Sequence, residues 1–202
     1  FRHGDESGTN GVQAKGGTTD VQIVRCRFEH AGLRAVQLGG STGRPYFRPS
    51  LEPSGNAEAR RIVVAGCEVI GSQAAVAFVS SEDCRVRRCT IYRPTRWVLR
   101  ILQESTGEEF VPCRRGSFSR CVVVWREGDL HRTVNVGPGT EPQSFRFEGN
   151  FWFCEDAPGA SRPRLPQSER GGVVGRDPRL RDAEGGDLGA APGSPARNAG
   201  AH

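Results

Sequence analysis

The chain has 202 residues, which is enough for one domain with a substantial hydrophobic core. Its formal net charge is +5, and Arg supplies nearly all of the positive charge because Lys15 is the single lysine. No apolar run approaches the roughly 20 residues of a transmembrane helix, no basic motif with interleaved aromatic residues indicates nucleic-acid binding, and the seven cysteines and four histidines lack the spacing of a zinc site.

The chain begins with a loop and then the strand GVQAKGG, residues 11–17. In this strand Val12 and Ala14 should point inward, and Gln13 and Lys15 outward. The segment matches the last strand of a repeat whose first two strands are missing. We therefore expect the sequence to be the C-terminal part of a longer protein, so the absence of a visible signal peptide carries no weight.

Residues 21–40, VQIVRCRFEHAGLRAVQLGG, are the first complete copy of a repeat. Each copy contains a short strand, a Cys or Asn, a second short strand, a polar break and a third strand. The Cys or Asn marker positions are Cys26, Cys67, Cys89, Cys121 and Asn150. The smallest separation between markers (89 − 67) is 22 residues, and the longer separations contain insertions. Strands at this period without a helical pattern predict a solenoid with one repeat per coil.

Two insertions interrupt the repeat at the same corner, at residues 41–59 and 105–116. Because coils stack about 4.8 Å apart, the insertions should lie side by side and form one wall of a groove. In the first insertion, Tyr46 and Phe47 could stack on a sugar ring or pin the loop to the body of the protein. The sequence leaves both interpretations open.

The third strands alternate between inward apolar and outward side chains, with Lys15 at the edge of the outward set. Arg100 is placed to grip a carboxylate or, alternatively, to pair with Glu104. Lys15 precedes two glycines that leave room for a ligand, but it could equally be an ordinary solvated lysine. The amides in this set would suit sugar hydroxyls or bond one another. The predicted outer row is Gln13, Gln37, Ala77, Arg100 and Asn135.

We assign residues 1–156 to the coils and residues 157–202, rich in Pro, Gly and Arg, to an irregular C-terminal tail that wraps over the coils and caps the last one. Cys113 and Cys154 lie outside the marker positions. In an exported protein a disulfide between them would tie the second insertion to the tail, and two buried free thiols are the alternative.

The coils, marker positions and tail together resemble the right-handed parallel β-helix proteins of the pectate-lyase-like superfamily. In that family the marker is commonly a ladder of asparagines, of which Asn150 alone remains here. The ending DPRLRDAEGGDLGAAPGSPARNAG is similar to the D-P-x-F, G-D-x-x-L and P-G-S-P-A-x-D-x-G ending of many secreted bacterial β-helix proteins, with Asn198 replacing the usual Asp. FRHG, residues 1–4, resembles a triplet found in some alginate- and chondroitin-type lyases.

The resemblance implies an all-β, right-handed parallel β-helix of about five coils that is carbohydrate-active and secreted or periplasmic. The most specific expectation is a lyase-like enzyme acting on an acidic polysaccharide by β-elimination, with Ca²⁺ or an Arg stabilising the carbanion. Lys15 would be the base and Arg100 would hold a carboxylate, and the substrate-binding residues would be Gln13, Gln37, Asn135 and Tyr46.

The alternatives are a glycoside hydrolase and a non-catalytic glycan-binding or surface-structural protein. The cofactor stays open, with Ca²⁺ as the candidate that the family suggests, but no acidic spacing in the sequence resembles a calcium loop. We expect a monomer that has a polysaccharide partner, no nucleic-acid partner and no membrane span.

Overall fold

The computed structural model describes residues 8–201, so FRHG lies outside the described residues. These residues form strands and three short 3-10 helices, Arg44–Tyr46, Pro142–Ser144 and Pro158–Ala160, which confirms the all-β prediction. In chain order the strands are β1 (Asn10–Ala14), β2 (Thr18–Thr19), β3 (Gln22–Val24), β4 (Arg27–Glu29), β5 (Arg34–Gly39), β6 (Ala59–Arg60), β7 (Val63–Ala65), β8 (Glu68–Ile70), β9 (Ala74–Val79), β10 (Ser81–Glu82), β11 (Arg85–Arg87), β12 (Thr90–Tyr92), β13 (Trp97–Leu102), β14 (Ser117–Ser119), β15 (Val122–Trp125), β16 (Val134–Val136), β17 (Arg146–Glu148), β18 (Phe151–Cys154), β19 (Val173–Val174), β20 (Leu180–Asp182) and β21 (Asp187–Ala190).

The strands form three large parallel sheets. Sheet A has the order β1-β5-β9-β13-β16, sheet B the order β3-β7-β11-β14-β17, and sheet C the order β4-β8-β12-β15-β18-β19. Successive strands of each sheet come from successive repeats and pair in parallel. The arrangement is compatible with a solenoid that has one repeat per coil. A fourth parallel sheet, β2-β6-β10, was not predicted, because its strands are too short to show a period-2 pattern.

The core consists of inward side chains stacked in register between coils. In sheet B the inward row is Ile23, Val64, Val86, Phe118 and Phe147. In sheet C it is Phe28, Val69, Ile91, Val123 and Trp152. All ten side chains are buried and belong to one continuous apolar cluster. Each coil therefore covers the apolar surface of the next one, which is the source of stability in a solenoid.

A hydrogen-bonded ladder runs along the turn between sheets B and C. Asn150 Oδ1 accepts the Cys121 N–H at 2.9 Å, and Asn150 Nδ2 donates to the Phe118 carbonyl at 2.9 Å. One coil earlier, Cys121 Sγ accepts the Cys89 N–H at 3.4 Å. A thiol thus takes over the acceptor role of the asparagine side chain, and the ladder continues beyond the single Asn that the sequence retains.

All seven cysteines are free thiols, so the structure contains no Cys113–Cys154 disulfide. Cys113 lies beside Ser81, with 3.7 Å between Sγ and Oγ, and Cys154 lies 3.4 Å from an Asp156 carboxylate oxygen. Both are buried, and burial raises the pKa of Cys113 to about 11. The second alternative, two buried free thiols, is the one observed.

The C-terminal segment caps the last coil and then returns along sheet C. Glu169 accepts hydrogen bonds from the Asn150 backbone and amide and from the Trp152 indole, and β19 pairs with β18. Further on, Leu188, Ala196 and other tail residues pack on the outer side of sheet C. The tail is less irregular than expected, since β20 and β21 form an antiparallel hairpin. Within the last part of the tail, Ser194 Oγ donates to the Pro178 carbonyl.

Three arginines surround one buried carboxylate at the corner next to sheet B. Glu82 is 4% exposed and contacts Arg60 at 2.6 Å, Arg114 at 2.7 Å and Arg115 at 2.6 Å. Burial acts to raise the pKa of Glu82, but the hydrogen bonds from Arg114 and Arg60 outweigh it and leave the pKa below its ordinary value. Because Arg60 belongs to the preceding coil and Arg114 and Arg115 belong to the following one, Glu82 holds neighbouring coils together.

The ladder can be tested by substituting its asparagine. Asn150→Ala leaves the buried Cys121 N–H and Phe118 carbonyl without partners and removes a contact with Glu169, so we expect a loss of about 3 kcal/mol of unfolding free energy. Urea denaturation measures this loss. Asn198→Ala is the control, because Asn198 is exposed in the tail. Equal, small effects of the two substitutions would show that the ladder does not stabilise the stack.

The Glu82 cluster predicts a pH dependence. A carboxyl group with a lowered folded-state pKa contributes stability that is present above its unfolded pKa and lost as the pH falls through the folded pKa. Glu82→Gln should therefore lower the unfolding free energy by roughly 2–3 kcal/mol at pH 7. The difference from wild type should shrink as the pH falls below about 4. Urea titrations at pH 7 and at a pH below about 4 measure this difference, with Glu108→Gln as the exposed control. A difference independent of pH would contradict the assignment.

Candidate functional site

The predicted outer row is present on sheet A. The pairing register places Gln13, Gln37, Ala77, Arg100 and Asn135 opposite one another, strand after strand. Lys15 follows β1 directly and is exposed. The alternation of side chains was sufficient to predict this row, because a strand paired in register must present the same face as its neighbour.

Arg100 is held in the middle of this surface by an aromatic ring and an amide. Its guanidinium carbon lies 4.3 Å from the Trp97 ring centroid, and its Nε donates to Asn135 Oδ1 at 3.2 Å. Within residues 8–201 Arg100 forms no salt bridge, so the predicted alternative of a pair with Glu104 is wrong. Its two terminal nitrogens have no acceptor among these residues and are available to a ligand.

The environment of Arg100 is electropositive. Burial, followed by repulsion from Arg34, lowers the pKa of Arg100 below its ordinary value, and Arg96 adds to this effect while Glu104 opposes it. An arginine stays charged at neutral pH in spite of such a shift. The Arg96 guanidinium also lies 4.5 Å from the Trp97 centroid. An anion placed here would relieve the repulsion between these cations.

Arg34 belongs to this site, although it was not predicted from the sequence. Its side chain is 14% exposed, donates to Gln37 Oε1 and lies 3.3 Å from a Glu104 carboxylate oxygen. Its Nε is buried without a partner in residues 8–201, and so is Oδ1 of Asn10. Strict alternation would place residue 34 on the same side as Val36. However, the buried Ala35 and Val36 both enter the core, and this brings Arg34 to the outer side.

Gln37 has a supporting position and is not an accessible binding group. It is 2% exposed, its Oε1 accepts from Arg34 and from Asn10, and its Nε2 donates to the Gly39 carbonyl at 3.2 Å. The prediction that Gln37 contacts substrate directly is therefore wrong. The reason is that the Arg34 and Asn10 side chains cover the amide. The pairing register predicts which residues lie opposite one another, but it does not predict which other side chains fold over them.

Lys15, Gln13 and Gln37 converge on one glycine. A Cβ atom at Gly40 would lie 2.8 Å from Gln13 Nε2, 3.1 Å from Lys15 Cδ and 3.2 Å from Gln37 Nε2. The absence of a side chain at residue 40 thus allows these three groups to come together. Within residues 8–201 Lys15 makes no ion pair, so its ammonium is open to solvent.

The two insertions lie side by side, as predicted. Arg44 of the first contacts Glu109 of the second at 2.7 Å, and Asn56 pairs with Phe110 in a parallel bridge. Each of the two aromatic residues in the first insertion fits one of the two interpretations. Phe47 is 1% exposed and packs on Phe110 with 5.5 Å between ring centroids, so it pins the loop. Tyr46 is 75% exposed and is free to stack on a ligand.

A buried carboxylate fixes the base of both insertions. Glu58 is fully buried, and its carboxylate accepts hydrogen bonds from the backbone N–H of Gly16 at 2.8 Å and of Thr42 at 2.7 Å. The hydroxyls of Thr42 and Ser105 donate to it at 2.7 and 2.5 Å. These four hydrogen-bond donors satisfy the Glu58 carboxylate, and no cationic side chain of residues 8–201 takes part. They connect the Lys15 strand end with the start of each insertion.

The described part of the surface does not fit a calcium ion. Ca²⁺ takes six to eight oxygen ligands, whereas the carboxylates beside the row are Glu104, which Arg34 engages, and the buried Glu58. Within residues 8–201 no three His, Cys, Asp or Glu side chains are grouped to hold a metal. The same part of the chain contains no helix that is long and apolar enough to cross a membrane.

No protein-family model matches this chain, and no curated protein or solved structure is significantly similar to it. The chemistry of the surface must therefore be argued from its own residues. These provide a cationic centre at Arg34 and Arg100, exposed polar groups at Gln13 and Lys15, and an exposed ring at Tyr46.

Glu58→Gln tests whether the buried carboxylate holds the insertions. A glutamine amide directs an NH2 group toward two of the four donors, so we expect a loss of roughly 2 kcal/mol of stability. The amides of Gly16 and Thr42 should also exchange with solvent faster in hydrogen-exchange mass spectrometry. Glu52→Gln, at an exposed residue of the same insertion, should change neither quantity. Unchanged exchange at both amides in Glu58→Gln would contradict this role.

Proposed function

We propose that the outer surface of sheet A binds an acidic polysaccharide and that Arg100 holds a carboxylate of one sugar unit. The observation that carries the proposal is the state of the Arg100 guanidinium. Asn135 occupies its Nε and Trp97 fixes its plane, while both terminal nitrogens lack an acceptor in residues 8–201. Two parallel N–H groups on a fixed plane match a carboxylate in bidentate geometry.

The extended shape of the surface supports a polymer as the ligand. Lys15 and Gln13 stand near one end, and Arg100 is three strands further along. At about 4.8 Å per strand, this separates Lys15 from Arg100 by roughly 14 Å along the stack. Such a distance suits two subsites of one chain. Tyr46 on the first insertion offers a ring against which a sugar could stack.

Lyase activity is a second candidate function, and the open position of Lys15 favours it. An unprotonated Lys15 would remove the proton α to a uronate carboxylate, and the C–O bond to the leaving sugar would break as the C=C bond forms. Arg100, roughly 14 Å away, would hold the carboxylate of another sugar unit of the same chain. Hydrolysis is less well supported, because a glycosidase needs two available carboxyl groups flanking the bond. Here Glu104 is engaged by Arg34 and Glu58 is buried.

We extend the proposal to fold family and location. Parallel strands joined through a crossover are right-handed in about 98% of cases, which supports a right-handed parallel β-helix of the pectate-lyase-like type. The ending around Asp177–Pro178 and Ser194 supports export to the periplasm or medium. Since all seven cysteines are free, disulfide chemistry adds no support for export.

Glycan binding by Arg100 is tested with Arg100→Gln. A lost bidentate pair should weaken binding to oligogalacturonate roughly 10- to 100-fold. A neutral oligosaccharide of equal length should not show the same change. Isothermal titration calorimetry measures both affinities. Arg162→Gln in the tail is the control, because it removes the same charge from an exposed position. Equal losses of affinity in the two variants would show that only the net charge matters, and this would contradict a site at Arg100.

The lyase candidate has its own readout. Lys15→Ala should abolish the ultraviolet absorbance of unsaturated products while leaving glycan affinity within a few-fold of wild type. Lys15→Arg should not restore turnover, because arginine does not release its proton. Full turnover in the Lys15→Ala protein would show that Lys15 is not the base. No turnover in the wild-type protein on any uronate polymer would leave a binding protein.

A further inference from the structure

The turn that precedes sheet B contains a row of charges that neutralises itself. One residue per coil adopts the left-handed conformation here, with φ of 58°, 54°, 56° and 53° at Asp20, Arg61, Asp83 and Arg115. Acid and base alternate from coil to coil. Arg61 contacts Asp20 at 2.6 Å, and Arg115 contacts Asp83 at 2.8 Å.

The turn that follows sheet B has the same backbone but a different distribution of charge. The left-handed residues in this row are Arg25, Gly66, Arg88, Arg120 and Gly149, with φ of 51°, 61°, 51°, 51° and 63°. We call Arg25, Arg88 and Arg120 the arginine column. Glycine adopts this conformation easily, whereas another residue loses about 1–2 kcal/mol. Arginine therefore occupies three positions for which the backbone favours glycine.

The arginine column has no counterion among residues 8–201. In residues 8–201 its three guanidiniums form no ion pair and no side-chain hydrogen bond, and Glu148, on the adjoining strand β17, does not pair with them. Two other arginines that line the first cleft described below are paired, Arg27 with Glu68 at 2.8 Å and Arg181 with Asp187 at 2.7 Å. Like charges stacked without a partner repel one another, so this column attracts an anion from solution.

The C-terminal tail makes the column one wall of a groove. Two clefts of about 490 Å³ each lie between this turn and residues 195–201. Arg25 and Arg197 line the first cleft, and Arg88 and Arg120 line the second. The clefts follow each other along the coils, and the three coil spacings of about 4.8 Å between Arg25 and Arg120 give the arginine column a length of roughly 14 Å. A linear ligand with repeated negative charge fits this shape.

The surface composition distinguishes between classes of polyanion. Proteins that bind single-stranded nucleic acids combine basic grooves with aromatic side chains on which bases stack. The large apolar side chains exposed within residues 8–201 are Val24, Tyr46 and Val174, and the single ring among them lies in the first insertion. A charged groove without an exposed aromatic ring favours an acidic polysaccharide over a single-stranded nucleic acid.

We propose that the arginine column and residues 195–201 form a second groove for a linear acidic polysaccharide, located between sheets B and C and separate from sheet A. The ligand class is the one in the proposed function, but none of the residues is shared. A chain bound there would run parallel to the stack and place its carboxylates or sulfates beside successive guanidiniums.

The test compares two triple variants of equal charge by isothermal titration with oligogalacturonate. The column variant carries Arg25→Asn, Arg88→Asn and Arg120→Asn, since asparagine tolerates left-handed backbone. The control carries Arg162→Asn, Arg164→Asn and Arg176→Asn in exposed parts of the tail. We expect two sites per wild-type chain. In the column variant the affinity of one site should fall at least tenfold, and the affinity for the ligand should depend less on the salt concentration. The control should keep both sites.

The outcomes separate this groove from the site on sheet A. If Arg100→Gln has no effect but the column variant abolishes binding, the groove stands and the proposed function fails. Equal affinities for the column variant and the control would overturn the groove. Tighter binding of oligothymidylate through the same arginines would overturn the polysaccharide assignment. Should the asparagine variant not fold, Arg25→Gly, Arg88→Gly and Arg120→Gly removes the same charges with a residue suited to the backbone.

Discussion

In-register parallel pairing between coils is the constraint on which the rest of the structure depends. Once Val64 pairs with Ile23 and Val86, the inward side chains of sheet B must stack, and the outward ones must stack as well. Because side chains alternate with period 2, a slip of one residue would expose an entire apolar row. The same register that builds the core therefore builds the outer rows, including the one that contains Arg100.

The turns transmit this register around each coil. Every coil needs a sharp change of direction on either side of sheet B, and left-handed residues provide it at Asp20, Arg25 and their equivalents. Repetition then aligns whatever side chains occupy these positions. At one turn the result is a paired Asp–Arg row, and at the other it is the arginine column, which has no ion pair in the described part of the chain. The ladder at Asn150 and Cys121 satisfies the backbone groups that such a turn leaves open.

The parts of the fold governed by repetition could be predicted from the sequence, and the parts governed by long-range contacts could not. The 22-residue repeat and the period-2 alternation were sufficient for the parallel stack and for the row from Gln13 to Asn135. They were not sufficient for Arg34, because two consecutive inward residues, Ala35 and Val36, break the alternation. Contacts between distant segments, such as Arg44 with Glu109 or Glu169 with Trp152, have no local signal in the sequence.

The modest net charge of +5 conceals an uneven distribution of cations. Glu82 alone engages three arginines, and Arg93 and Arg126 share Glu155 and Glu184. Many acidic residues are therefore already paired with arginines inside the protein, and these ion pairs join coils to one another or to the tail. Arg100 and the arginine column are among the arginines without an ion pair in residues 8–201, and in both places cationic side chains lie close together. The net charge of the whole chain does not reveal these two sites, because the electrostatic field of a charged group extends only about 8–10 Å at physiological salt. For a repeating anionic polymer, the spacing of the guanidiniums in these two places matters more than the overall charge.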